Sequence, residues 1–367
     1  MDVTIRNATL LDGTKIDISI KNGLIHEVGT HIDKCGEEIY IPDNTFVSSG
    51  WIDLHTHAFP KFEPYCAHPD DIGYKTGVTT VVDAGSSGAD DIDEFASFAK
   101  QCKTRVFAYL NISKIGLRVF DELSDLNNLK LEDIETKFQK YESFIVGLKA
   151  RMSSSVVGDN GIKPLEIGKQ FSEALNLPVM VHIGNAPPKM IEVIELLGKG
   201  DVITHCFHAK ENNNIFSENK ANIEPLLAAI ERGVYLDVGH GMSSFSYRIS
   251  KRAKEENIPF HTISTDIYDA NRLNGPVYDM ATTLMKFLAL GFSLEEVIQS
   301  VTTYPAKVIR NKQLGTIKQG AYGDLTFFKV EDESTQLRDS HGEVFESPKK
   351  IVPYAVTIGG EYIVCTT

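Results

Sequence analysis

Eight short apolar runs punctuate the middle of this chain, at residues 50–57, 78–85, 105–113, 145–152, 178–184, 201–207, 234–241 and 261–267. Most are separated by stretches with helical spacing of apolar residues, at 92–103, 131–141, 164–175, 189–197, 223–231, 246–256 and 277–290. A run without polar alternation is buried on both faces, which is the environment of a parallel strand covered by helices. Eight strand-then-helix units in roughly 260 residues match the size of a (β/α)8 barrel. An open doubly wound sheet has the same periodicity and stays open as an alternative at this point.

The two ends read differently. Residues 3–11, 16–20 and 24–28 are strand-like, with Asp12-Gly13 and Asn22-Gly23 between them as hairpin turns. Residues 324–330, 351–358 and 362–365 follow the same pattern, with a polar loop through His341 and a Gly359-Gly360 turn. Pairing of the two ends into one small β unit is expected.

Composition bounds the function. The chain has 367 residues, and its net charge of -13, from 37 Lys+Arg against 50 Asp+Glu, excludes a surface built to neutralise phosphates. A small-molecule substrate is expected rather than nucleic acid. The five cysteines, Cys35, Cys66, Cys102, Cys206 and Cys365, are odd in number and unpaired in spacing, which fits a reducing cytoplasm. No basic region followed by an apolar core opens the chain, and no apolar stretch is long enough to span a bilayer, so a soluble cytoplasmic protein without a membrane partner is expected.

Polar residues that a buried strand should not tolerate collect at the C-terminal ends of the runs. His55 and His57 end the first, Lys149 and Arg151 the fourth, His182 the fifth, His205 the sixth, His240 the seventh and Asp266 the eighth. Barrel active sites are built at that rim. A His-x-His pair on a strand puts both imidazoles on one face, about 7 Å apart at Cα, which suits two ligands of one metal ion. Alone the pair is weak evidence, because two rim histidines satisfied by hydrogen bonds explain it as well. Lys149 either pairs with a carboxylate or, desolvated near cations, becomes a neutral amine able to take up carbon dioxide as a carbamate. His182 and His205 are each compatible with a satisfied core histidine. His208, one turn beyond the strand, competes with His205 as a ligand, and Asp266 is also placed as a helix N-cap.

Taken in order, HxH, Lys, His, His and Asp resemble the amidohydrolase superfamily. The stretch Val47-Ser48-Ser49-Gly50-Trp51-Ile52-Asp53-Leu54-His55-Thr56-His57 is similar to the family's opening motif, with Ser-Ser where a Pro is more usual before the Gly. Thr303-Tyr304-Pro305-Ala306-Lys307, and Gly315-Thr316-Ile317 through Gly320-Ala321-Tyr322-Gly323-Asp324-Leu325, resemble its closing signature. The fold this implies is a (β/α)8 TIM-type barrel, residues 48–313, beside a small β-sandwich domain made of residues 1–47 and 314–367. The resemblance further implies two divalent metal ions, with zinc the first expectation. His55 and His57 would hold the first, His182 and His205 the second, and a carbamate on Lys149 would bridge them. Asp266 would be both a ligand and the catalytic proton shuttle.

Within the superfamily the sequence is most similar to a bacterial group variously named amidohydrolase, deacetylase or adenine deaminase-like. Residues 148–158, Asn160-Gly161, Thr204-His205-Cys206-Phe207, and Asp237-Val238-Gly239-His240-Gly241 through Phe245 carry that likeness. It implies cleavage of an amide or ester bond in a small acylated acid, by a homo-oligomer. A dihydroorotase-like cyclic amidohydrolase is the competitor, but Phe59 stands where that enzyme usually has an arginine for the substrate carboxylate. Adenine deaminase is another, and an inactive binding protein on the same fold is the alternative of a different class. Arg151 is expected to bind the substrate carboxylate, being on the same strand face as Lys149. His240, between two glycines, is expected to hold or polarise the substrate.

Overall fold

The computed structural model describes residues 2–366. Five N-terminal strands, β1 (Val3–Thr9), β2 (Lys15–Lys21), β3 (Leu24–Gly29), β4 (Glu37–Tyr40) and β5 (Phe46–Ser49), lead into the parallel strands of the centre. Those are β6 (Trp51–Thr56), β7 (Val78–Ala84), β8 (Arg105–Asn111), β9 (Ile145–Met152), β10 (Val179–Ile183), β11 (Val202–Thr204) and β12 (Tyr235–Leu236). The chain ends with β13 (Leu325–Glu331), β14 (Thr335–Arg338), β15 (Val344–Ser347), β16 (Lys350–Ile358) and β17 (Glu361–Val364).

Strands β6 to β12 form one seven-stranded parallel sheet in chain order. Every residue of β6 and β7 is buried, including the polar Asp53, His55 and Thr56 of β6 and Thr79, Thr80 and Asp83 of β7, as expected of parallel strands covered on both faces. The eighth run, residues 261–267, pairs as isolated parallel bridges rather than as a full strand. Thr262 bridges to Asp237 beyond β12, and Ile267 bridges to Thr56 on β6, so this segment touches both edges of the sheet. Helices alternate with the strands. The helix Lys163–Leu175 starts with Pro164 in its first turn and stops at Asn176, whose left-handed backbone (φ 53°) caps it.

The terminal strands make a single eight-stranded sheet in the order β17-β16-β13-β5-β1-β2-β3, with β4 also paired to β1. Asn22 (φ 51°) and Gly23 (φ 77°) form the turn between β2 and β3, the double positive φ that Asn-Gly hairpins supply. Ile5, Ile18, Ile20 and Phe327 fill the core of this sheet. Trp51 joins it to the parallel sheet. Its backbone N–H donates to Thr326 Oγ1 at 3.1 Å, and its ring centroid lies 5.3 Å from that of Phe328. The segment read as a polar loop through His341 contains the hairpin β14–β15, and Ser340 beside it bonds the carbonyl of Gly241 at 2.9 Å. Among the described residues no helix is long and apolar enough to cross a membrane.

Candidate metal centre

His55, Lys149 and His182 lie on β6, β9 and β10, His57 and His205 just beyond β6 and β11, and Asp266 in the bridging segment. The first and last of these elements are tied directly. Asp266 donates its amide to the His55 carbonyl at 2.7 Å, and His57 donates to that of Ile267 at 3.0 Å. Asp266 Oδ1 consequently sits 3.1 Å from His57 Nε2 and 3.4 Å from His55 Nε2, and one ligand atom from each residue falls within 4.8 Å of the others. Lys149 Nζ is 3.3 Å from His55 Nε2. The His205 ring packs against both His55 (centroids 5.0 Å apart) and His182 (4.3 Å). A cavity of about 280 Å³ opens over this cluster, walled by Tyr65, Phe120, Arg151, Lys210, Met242 and Tyr268 among others.

A second layer fixes the rings. Asp237, fully buried, accepts from the hydroxyls of Thr204 (2.7 Å), Thr262 (2.5 Å) and Ser264 (2.6 Å). Because Thr204 gives its only proton to Asp237, its oxygen must accept from His55 Nδ1, 2.8 Å away. His55 Nε2 is thereby left as a lone pair facing the cluster. His205 Nδ1 likewise donates to the Gly239 carbonyl at 2.6 Å, and its buried Nε2 has no hydrogen-bond partner. A buried ring nitrogen with its other proton committed to a carbonyl is the donor arrangement of a metal-ligating histidine. His57 Nδ1 meets Ser86 Oγ at 2.9 Å, and Asp83 holds Ser86 through its amide at 2.8 Å. Asp53 takes the amide of Thr265 at 3.0 Å and so holds the segment that carries Asp266 beside β6.

Burial sets the protonation. It pushes His55 and His182 well below the ordinary histidine range and His205 to about 4, with neighbouring cationic groups adding to the effect, so the rings are neutral at pH 7. It also brings the Lys149 amine down to about 7. Neutral imidazoles and carboxylates are the forms that bind divalent metals. His205 (φ 67°) and Asp266 (φ 51°) both hold left-handed backbone, uncommon outside glycine and concentrated at functional sites.

The other residues singled out in the sequence lie apart from this cluster in function or in place. Arg151 reaches the cavity wall, but its Nε and one Nη each lie 2.7 Å from a carboxylate oxygen of fully buried Glu122. His240 is not on the wall. Its Nε2 accepts from Lys286 Nζ at 2.7 Å and its ring stacks on Phe245, because Gly239 and Gly241 turn the backbone on either side of it. His208 accepts the Lys210 amide at Nδ1 and does not line the cavity, whereas His205 stands within the ring cluster. Thr204, Asp237 and Asp53 lie in the motifs named above without a role of their own, and Ser86 lies outside them. Their signal is that each is a polar residue inside or just after an apolar run. His68, Asp70 and Cys102 also lie close together, but His68 caps a turn and Asp70 holds the Thr104 amide at 2.9 Å.

A metal-dependent hydrolase is the class of protein that this fold and these donors define. The chain belongs to the amidohydrolase family, whose sequence pattern matches residues 46–363. It is 43% identical over 362 residues to a deacetylase of Enterococcus faecalis, covering 98% of both chains. A deacetylase of Brucella anthropi is 34% identical, covering 94% of this chain and 86% of its own. Among solved structures, one named as an adenine deaminase superposes with a TM-score of 0.96 at 42% identity, covering 99% of both chains. One named as a dihydroorotase gives 0.89 at 33% identity, covering 99% of this chain and 98% of its own.

Proposed function

We propose that the protein is a deacetylase-like hydrolase with two divalent metals, cleaving an amide or ester bond in a small acylated acid. The observation that carries it is the completeness of the donor set, above all the partnerless Nε2 of buried His205 beside His182 and His55. In this reading residues 261–267 close the parallel strands into a (β/α)8 barrel of residues 48–313, and residues 1–47 with 314–367 make the accompanying β-sandwich. His55, His57 and Asp266 would hold one metal, His182 and His205 the other, and Lys149, whose readily deprotonated amine can take up carbon dioxide, would supply a carbamate shared between them. Zinc suits these nitrogen and oxygen donors. Bound metals supply Lewis acidity and an acidified water.

The chain's own residues do the rest. Thr204 and Gly239 keep the proton on Nδ1 of His55 and His205. Asp266 Oδ1 takes the proton released as water adds to the acyl carbonyl and returns it to the departing nitrogen or oxygen. The deacetylase names of two relatives support the acyl-acid substrate, while the structure named adenine deaminase favours a second reading in which the attacked centre is a purine carbon.

Elemental analysis and a substrate panel test both readings. The expected result is two metals per chain and turnover of N-acetyl amino acids or O-acetyl hydroxy acids. Lys149→Ala should lose one metal and most activity, with partial rescue by short carboxylic acids. Efficient turnover of adenine or dihydroorotate without hydrolysis of acetylated acids would replace the deacetylase reading. Metal content near zero that added zinc or manganese does not restore would favour an inactive binding protein.

A further inference from the structure

Three basic residues, Lys149, Arg151 and Lys210, line the cavity over the cluster. Lys149 is buried against His55 inside the centre. Arg151 already has its carboxylate, since Glu122 meets it at two points in full burial. A bidentate pair of this kind satisfies both charges and leaves little attraction for a third. Lys210 differs. The residue is half-buried at the cavity wall, where its amine donates to the exposed hydroxyl of Ser243 at 3.3 Å, and no carboxylate pairs with it among the described residues.

We infer that Lys210, with the Ser243 hydroxyl beside it, receives the substrate's carboxylate, the part that Arg151 was expected to play. The inference rests on the acylated-acid reading of the same site. Lys210 follows His205 by five residues on the loop after β11, so the segment that ends in one donor of the centre also carries the anchor. A ligand filling about 280 Å³ meets both ends. Burial without a counter-ion lowers the Lys210 amine from its ordinary range, a cost that an arriving carboxylate removes. The overall charge of -13 repels anions at long range, so a local unpaired cation is needed at the mouth.

Two measurements on the metal-loaded protein decide it. The first compares succinate with butyrate, an acid of the same length with one carboxylate, by calorimetric titration. Wild type should bind succinate more tightly by about 10- to 100-fold, the range of one hydrogen-bonded charge pair. Lys210→Met should abolish that advantage and Lys210→Arg should keep most of it. No succinate advantage in wild type, or one that survives in Lys210→Met at unchanged metal content, overturns the assignment. The second compares acetylated acids with their carboxamides as substrates, where Lys210→Met should collapse the preference for the acid, mainly through KM. Wild type that hydrolyses neither, while retaining a Lys210-dependent succinate advantage, sinks the acylated-acid reading and leaves the anion site standing.

Discussion

His205 donates Nδ1–H to the carbonyl of Gly239 at 2.6 Å, and this bond decides which ring nitrogen faces the centre. Gly239 has φ 50°, and a Cβ there would lie 2.8 Å from His205 Nδ1 and collide with Thr204 Oγ1. Gly239→Ala should therefore displace two second-layer contacts at once. We expect metal affinity to fall about 10- to 100-fold, the usual cost of losing an outer-layer partner. Metal titration of chelator-stripped protein, with circular dichroism to establish folding, measures it. Unchanged affinity in a folded variant would show that the ring is held by other means.

Asp266→Asn keeps a side chain of the same size but removes the proton acceptor. Turnover should drop by about 10²- to 10⁴-fold with KM changed much less. Steady-state kinetics on the best acetylated substrate supplies both numbers, and wild-type turnover would move the proton-transfer role elsewhere.

The Arg151–Glu122 pair makes a stability prediction. Arg151→Met strands a fully buried carboxylate and should destabilise the protein by about 3–5 kcal/mol, whereas Arg151→Met with Glu122→Leu should recover most of that. Urea unfolding of the three proteins is the check. A single variant as stable as wild type would mean that Glu122 finds another partner.

Lys286 predicts a pH dependence. Burial against His240 brings its amine down to about 7, against 10.5 when unfolded, so between these values the unfolded chain binds the extra proton. Stability from this group hence rises with pH from about 7 to 10.5, by at most about 1.4 kcal/mol per pH unit, and is flat below 7. Lys286→Met should flatten the curve relative to wild type in that window. Parallel curves from pH 7 to 10 would show that the amine stays charged in the folded state.

Much of the scaffold was legible because a parallel strand buried on both faces is rich in apolar and β-branched residues without polar alternation, as in Val78–Ala84. The exceptions are instructive. Residues 261–267 read as a strand but form only bridges, and β14–β15 hid in a polar stretch because its outer residues face solvent. The period of two placed Arg151 on the face of Lys149, yet its partner Glu122 comes from an irregular connection that no periodicity predicts. The placement of His240 was illegible for a related reason. Spacing along the chain says nothing about a ring swung aside by glycines with positive φ on both sides. The role of Asp237 was not legible, because its three hydroxyl partners come from two different segments.

The contact between Asp53 and Thr265 spans 212 residues. Such long-range closure is slow, since the entropy of a large loop is lost before any contact repays it. His55 and His57 leave the ribosome early, but the third donor of their set follows only after most of the chain has been made. In the proposed reading, the three residues His55, His57 and Asp266 that would hold one ion can close on it together only once the chain has been made past residue 266.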